Sequence, residues 1–273
     1  MELRGVTLRS EGANGTPSAL AIGDAISDET CSIANKSGEA NMTEGTQAQD
    51  DVQVFCGEWD AEGVYVYQAF CDEIADWALE HQQFGGPHFN TTRMTWIKPS
   101  FAWVLYRSGY GHKHGQKRIL KVKVPHHEFG EILGQCQCVD TNRATRTKRC
   151  ENDGGSNGRV QWDPGRDILS SDGRQPRLMR RHRAIQIGMA GRLSELYVRS
   201  VISIQDVTEL GHRVGQAHRS KKADAMAHIL PELPDERPYK PRCPDHVLVK
   251  LGMLPGGSAA ALSRIGKGKA LQR

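Results

Sequence analysis

The chain has 273 residues, of which 38% are hydrophobic and 25% charged, and a formal net charge of +4. This length supports a hydrophobic core in one domain or two small ones, and so mild a charge predicts solubility rather than a polyanionic partner. No run of about 18 apolar residues occurs, which excludes an ordinary membrane helix. The seven cysteines have no framework spacing. Together with the lack of a signal-type apolar run, this predicts reduced thiols in the cytoplasm or nucleus.

The first 50 residues differ in composition from the rest of the chain. They contain three basic and eight acidic residues, a net charge of −5, and no aromatic residue. Such a segment cannot bury enough apolar surface to offset the entropy lost on ordering. We therefore predict that residues 1–51 form a disordered acidic leader and that the folded part begins near Val52.

The first predicted element is an amphipathic helix over residues 67–83. Its apolar residues, among them Phe70, Ile74 and Trp77, recur at helical spacing, and acidic residues occupy the other faces. A Gly-Gly-Pro sequence follows, which is typical of the end of a helix.

A strand and a second helix are predicted next. Residues 89–97 are rich in threonine and aromatic residues and alternate in character, so that Arg93 lies on one face of the strand and Trp96 on the other. Residues 99–108 then begin with Pro-Ser, which suits the first turn of a helix, and Gly109 stands just past the last turn.

The second half of the chain has shorter elements. Residues 117–124 alternate lysines with apolar residues, which predicts a strand with a basic outer face, and Pro125 introduces a short helix. Residues 135–160 are polar and aperiodic, as expected of an insertion. Asp206 is a candidate cap for a later helix. Further strands are predicted at 160–162, 183–189 and 201–204.

Short strands that alternate irregularly with three or four helices favour an α+β fold with a mixed, mainly antiparallel sheet. The phosphate-binding patterns GxxxxGK[ST] and GxGxxG do not occur in a usable context. We predict a single α+β domain at about 52–230, followed by a loose basic tail over 231–273.

Five segments of the chain carry a family resemblance. They read YQAFCDEIADWALEHQQFGG (67–86), RMTWIKPSFAWVLYRSGYGHKHGQKRIL (93–120), VQWDPGRD (160–167), RAIQIGM (183–189) and SIQDVTEL (203–210). In this order they resemble the bacterial and fungal proteins grouped as domain of unknown function 4291, and they cover most of residues 64–220. The resemblance delimits the domain and implies no catalytic residue.

The order of elements is also similar to the ADP-ribosyltransferase fold, in which a split antiparallel sheet grips NAD. This resemblance implies NAD as the cofactor, with the guanidinium fork of Arg93 on the pyrophosphate. Trp96 or Tyr110 would stack on a ring of the cofactor. Glu209 would stabilise the oxocarbenium-like centre that forms as nicotinamide leaves.

The densest cluster of aromatic, cationic and glycine residues lies at 88–124, and it predicts the position of the site. The candidate cofactor-binding residues are Arg93, Trp96, Lys98, Arg107, Tyr110 and Lys113, and the candidate catalytic residues are Arg93, Glu209 and His112. Imidazole titrates near neutral pH, so His112 on the glycine turn is a candidate acid or base.

Two alternatives to a nucleotide-binding enzyme remain open. Residues 104–124 contain six basic and no acidic residues, interleaved with Tyr106 and Tyr110, and this composition suits single-stranded RNA or DNA binding. A structural domain without catalysis is the third interpretation. The spacing of Cys136, Cys138 and Cys150 matches no recognised zinc-finger pattern, so no metal site is predicted.

Overall fold

The computed structural model describes residues 52–139, 157–220, 222 and 224–255. They belong to one compact unit. The predicted acidic leader, residues 140–156 of the predicted insertion and the end of the chain from residue 256 lie outside the described residues.

The described residues form helices and strands in irregular alternation. The helices are α1 (Asp72–His81), α2 (Phe101–Ser108), α3 (His126–Gly134), α4 (Arg192–Ser200), α5 (Thr208–Ser220) and α6 (Asp245–Lys250). The strands are β1 (Cys56–Gly57), β2 (Gly63–Phe70), β3 (Thr95–Ile97), β4 (Arg118–Pro125), β5 (Cys136–Cys138), β6 (Gly158–Ser171), β7 (Pro176–Met189), β8 (Ser203–Asp206) and β9 (Arg237–Pro238). The α+β prediction is confirmed, although this part of the chain contains six helices rather than three or four.

The strands form two larger sheets and one small one. The three-stranded sheet has the order β2-β4-β8 and is antiparallel. The four-stranded sheet has the order β3-β7-β6-β5, and only the β5–β6 pair in it is parallel. Strands β1 and β9 pair separately.

One bridge joins the two larger sheets. The amide of Tyr67 donates to the carbonyl of Lys98 at 2.7 Å, and the amide of Lys98 donates back to Tyr67 at 3.2 Å. Lys98 directly follows β3, so β2 passes the end of β3 at this inter-sheet bridge. Apart from this bridge, no ladder pairs the two sheets among the described strands.

The apolar residues pack in two clusters. The larger cluster lies between both sheets and α1, α3, α4 and α6, and includes Val122, Ile187 and Leu248. The smaller cluster lies beneath α2 and α5, where Leu105 meets Val214. Burial of these side chains is the main term that stabilises the fold.

Local chemistry fixes the ends of α2, as the sequence predicts. The Ser100 hydroxyl accepts a hydrogen bond from the amide of Trp103 at 3.4 Å and caps the first turn. Gly109 follows the last turn at φ 58°, in the left-handed region that glycine adopts at least cost.

Several predicted elements are wrong in their extent, and the strands predicted at 160–162 and 183–189 are parts of the longer β6 and β7. Residues 67–70, predicted as helix, complete β2, where Tyr67 pairs with Lys121 of β4; cross-strand pairing overrides the local helical spacing. The strand predicted at 89–97 contains only Thr95–Ile97. The preceding residues turn, because Asn90 Oδ1 accepts from the amide of Thr92 at 2.9 Å.

The packed structure extends beyond the boundary expected near residue 230. The Tyr239 ring lies 5.3 Å from that of Phe55, and Val247 is buried. Trp162 Nε1 donates to the carbonyl of Leu251 at 2.9 Å, which ties α6 to β6. No helix in the described part of the chain combines the length and the apolar character needed to cross a membrane.

Candidate functional site

A cavity of about 960 Å³ is lined by residues of both larger sheets. Its walls are the end of β2, the loop before β3, β3 itself, α2 and the middle of β6 and β7. The inter-sheet bridge lies at this cavity, since Lys98 contributes to its lining. The volume is in the range of pockets that hold a small molecule or cofactor.

The cavity is cationic. Among the described residues that line it, the cations are Arg93, Lys98, Arg107 and Arg166, and Asp163 is the one carboxylate. Indole and phenol rings complete the wall, from Trp96, Trp103 and Tyr106. Like charges gathered in a concave site raise the local potential and attract anions.

Lys98 carries its charge in a largely desolvated position. Its Nζ donates to the carbonyl of Trp96 at 3.4 Å and lies 5.7 Å from the centre of the Trp103 ring. Burial, assisted by the charge of Arg107, lowers the pKa of Lys98 to about 8, whereas Asp163 acts in the opposite direction. An anionic ligand would add its negative charge to that of Asp163 beside this ammonium group.

Arg166 lies across the cavity on β6. Its guanidinium carbon is 3.6 Å from the centre of the Tyr106 ring, a cation–π contact, and Nη1 donates to the carbonyl of Pro176 at 3.2 Å. Its Nε is buried and has no hydrogen-bond partner among the described residues. Burying a donor without a hydrogen-bond partner costs folding free energy. A donor kept in this state at a cavity is characteristic of a functional site.

Gln68 is buried and fixes the cavity floor. Its Nε2 donates to Thr95 Oγ1 at 2.9 Å and to the carbonyl of Trp96 at 3.2 Å. Its Oε1 accepts from the Tyr197 hydroxyl at 2.7 Å. The amide therefore connects β2, β3 and α4, and holds the floor in one arrangement before any ligand arrives.

Asp163 is oriented by two amides of the four-stranded sheet. One carboxylate oxygen accepts from Gln161 Nε2 at 2.9 Å and the other accepts from Gln186 Nε2. Both donors are neutral, so these hydrogen bonds orient the Asp163 carboxylate without cancelling its negative charge. A carboxylate held in this way can stabilise a cationic centre in a bound ligand.

Trp96 occupies its place because residue 188 is glycine. The two residues are cross-strand partners in β3 and β7, and a Cβ at Gly188 would lie 2.9 Å from the indole carbons. The absence of a side chain allows the ring to lie against the strand. Any larger residue at 188 would displace the indole.

The structure brings together four of the predicted site residues. Arg93, Trp96, Lys98 and Arg107 all line the cavity. Asp163 and Arg166, which the sequence does not single out as site residues, join them from the segment VQWDPGRD. Alternation on β6 places Gln161 and Asp163 on one face, a signal visible in the sequence once that segment is taken as a strand.

The other four predicted residues lie elsewhere, and none is among the described residues that line this cavity. The Tyr110 hydroxyl is 2.8 Å from His218 Nδ1 and is buried. The His112 ring stacks on His212 with centroids 4.6 Å apart, and burial followed by the charge of His212 lowers the pKa of His112.

Glu209 and Lys113 are likewise separate from the cavity lining. Glu209 is in the first turn of α5, where Oε2 lies 3.9 Å from His212 Nδ1. Lys113 is exposed on the glycine turn, with its amide bonded to the carbonyl of Ser108 at 2.9 Å.

The basic face predicted for residues 117–124 is neutralised. Each cation of β4 contacts an acidic side chain within 2.9 Å, and the pairs are Lys121–Glu58, Lys123–Asp60 and Arg118–Asp206. Although burial acts in the opposite direction, hydrogen bonds from Lys123 and other donors lower the pKa of Asp60. A strand that is paired in this way has little positive charge left for nucleic-acid phosphates.

The cysteines of the described residues do not build a metal centre. No cluster of His, Cys, Asp or Glu in this part of the chain is arranged to hold a metal ion. Cys136 is buried, and burial raises its thiol pKa to about 12. Cys150 lies outside the described residues.

Fold and site together define an α+β domain with two larger, mainly antiparallel sheets and a cationic, aromatic cavity lined by both. The family model described as Domain of unknown function (DUF4291) matches residues 55–239. Since this match covers more than half of the chain, the protein belongs to that family, as the sequence motifs predict. A search of curated proteins finds no match.

Proposed function

We propose that the cavity binds a nucleotide, that NAD is the ligand to test first, and that the protein is an enzyme of ADP-ribosyltransferase type. The observation that carries this proposal is the meeting of four cations, one carboxylate and the rings of Trp96, Trp103 and Tyr106 in a single cavity of about 960 Å³. A nucleotide combines an anionic phosphate group with a flat aromatic base, and the cavity offers a complement to each.

The phosphates are assigned to the cationic wall. Arg93 and Arg107 provide planar guanidinium forks that match phosphate oxygens, and Lys98 adds a point charge. Lys98 and Arg107 both lie within 5.8 Å of the Trp103 ring centre, which keeps that ring covered. The partly exposed ring of Trp96 is therefore assigned to base stacking.

The carboxylate role is assigned to Asp163 instead of Glu209, because Asp163 lines the cavity. In the proposed reaction the bond between ribose C1′ and the nicotinamide nitrogen breaks, and its electron pair leaves with nicotinamide. An acceptor oxygen or nitrogen then bonds to C1′ and loses its proton to the Asp163 carboxylate. The same carboxylate faces the positive charge that develops at C1′.

Thermal unfolding of the full chain with millimolar NAD tests the binding step. A ligand at about 100 times its dissociation constant stabilises the folded state by roughly 2.7 kcal/mol. The shift is expected to disappear in Arg93→Ala and to persist in Arg199→Ala, an exposed arginine on α4 outside the cavity. No shift with NAD or with ADP would refute nucleotide binding at this cavity.

Release of nicotinamide tests the reaction. Asp163→Asn keeps the size of the side chain and is expected to retain the NAD shift while losing nicotinamide release. An NAD shift without release by the unaltered protein would refute the transferase assignment and leave nucleotide binding in place.

A further inference from the structure

Strands β6 and β7 form a two-stranded ribbon for most of their length. Each strand has 14 residues, but β5 pairs only with residues 158–160 of β6 and β3 only with residues 187–189 of β7. Between these ends no further described strand flanks the pair. The ribbon runs past the cavity, to which Pro164, Arg166 and Leu178 contribute.

A large irregularity interrupts the ribbon beside the cavity. Pro164 pairs with Arg183, but the next residue of β6, Gly165, pairs with Met179. Three residues of β7 are thereby left out of the ladder, and all three are exposed: Arg180, Arg181 and His182. We name these three residues together with Arg183 the arginine bulge. A bulge of this kind bends its strand and changes the direction in which the side chains point.

The close approach of the bulge to β6 depends on a glycine. A Cβ at Gly165 would lie 3.1 Å from the carbonyl oxygen of His182, a contact tighter than side chains ordinarily make. Gly165 therefore allows the backbone of the bulge to approach β6 closely at His182. The feature is thus built into both strands of the ribbon.

The arginines of the bulge are unpaired, in contrast to the cations of β4. Among the described residues, Arg180, Arg181 and Arg183 form no ion pair, and all are exposed. Arg177, earlier on the same strand, does pair with Asp167 at 3.2 Å. Three guanidinium groups within four positions create a concentrated positive patch on a strand whose residues Leu178 and Gln186 line the cavity.

We propose that the arginine bulge docks single-stranded nucleic acid. Successive guanidinium forks match successive phosphates of one strand, and other residues of the same ribbon line the cavity to which Trp96 contributes, an indole that can stack an unpaired base. A base within a duplex is not available for such stacking. The phosphate contacts of the two proposals lie on different residues, and Trp96 is the one group that both use; neither proposal requires the other.

Fluorescence anisotropy of the full chain with a labelled single-stranded RNA of about 12 nucleotides tests this proposal. Each phosphate contact on a single strand contributes about 0.7 to the salt slope, so Arg180→Gln/Arg181→Gln is expected to lower the slope by about 1.4. At 0.1 M salt this corresponds to binding that is about 25-fold weaker. The reason is that two phosphates are no longer neutralised.

The matched control is Arg192→Gln/Arg199→Gln, which removes the same charge from two exposed positions on α4. Its binding is expected to change less than about twofold, because these residues lie outside the patch. An equal loss in both variants, or no binding by the unaltered chain at low salt, would overturn the proposal. Equal or tighter binding of a duplex of the same sequence would overturn the claim that the bulge prefers a single strand.

Two further measurements separate this proposal from the proposed nucleotide site. The bulge variant should unfold at the same temperature as the unaltered protein, since the substituted side chains are exposed. It should also keep the NAD shift that Arg93→Ala loses. RNA binding lost in the bulge variant without any NAD shift in the unaltered protein would support the bulge and refute only the nucleotide site.

Discussion

Replacing Lys98 with methionine is expected to stabilise the protein at neutral pH while weakening anion binding in the cavity. Burial and Arg107 lower the pKa of Lys98 from 10.5 to about 8. This difference of about 2.5 pH units corresponds to about 3 kcal/mol, an upper limit for a side chain that is partly exposed. Methionine keeps the apolar stem and removes the charge.

The sign and the pH range follow from the two pKa values. Below pH 8 Lys98 is charged in both the folded and the unfolded state, so the full cost of its burial is present. Between pH 8 and 10.5 the folded state loses the proton first, and stability of the unaltered protein rises with pH. The advantage of Lys98→Met should therefore be largest at pH 7 and disappear toward pH 10.5.

Urea unfolding followed by tryptophan fluorescence at pH 7 and pH 10 measures this difference. Lys117→Met, the same change at an exposed position of the glycine turn, is expected to alter stability by less than about 0.5 kcal/mol at both pH values. If Lys98→Met destabilises the protein at pH 7, or changes stability equally at both pH values, burial of the Lys98 charge does not lower the stability of the protein.

Two further substitutions test buried groups in the same way. Burial raises the pKa of Glu236 from 4.5 to about 7, while Oε1 accepts from the amide of Phe101 at 2.5 Å. Stability of the unaltered protein should fall as pH rises from 4.5 to 7, and Glu236→Gln, which keeps the acceptor, should be up to about 3 kcal/mol more stable at pH 8. If the urea midpoints of the two proteins change with pH in the same way, this prediction is contradicted. Tyr197→Phe removes the donor to Gln68 and should cost about 1 to 2 kcal/mol, measured by urea unfolding. It should also reduce the NAD shift, and unchanged stability would show that this hydrogen bond is unimportant.

The predictable part of the site is the part encoded by nearby residues. Helix α2 follows from its own cap residues, Ser100 and Gly109, which act within one turn of the helix ends. Arg93, Lys98 and Arg107 meet at one cavity because a short strand and a helix that are adjacent in sequence hold them. Sequence patterns within a few residues are therefore enough to predict that these three side chains lie together.

The remainder of the site depends on pairings between distant segments. Asp163 and Arg166 reach the cavity only because β7 pairs with both β3 and β6, and no local pattern specifies that register. The outer ribbon has charged residues on both faces, so it lacks the alternation that predicts a strand. The basic face of β4 is neutralised by Glu58 and Asp60 from the opposite side of β2, which charge counts along the chain do not reveal.

The pairing of β1 with β9 has a consequence for synthesis of the protein. Phe55 is covered by Tyr239, and the amide of Gln53 donates to the carbonyl of Gly252 at 2.8 Å. Among the described residues, those that leave the ribosome first thus receive their partners from those that leave last. Contacts between such distant residues form slowly and leave apolar surface uncovered in the meantime. The nascent chain therefore stays open at this corner, and dependent on protection from aggregation, until α6 has emerged.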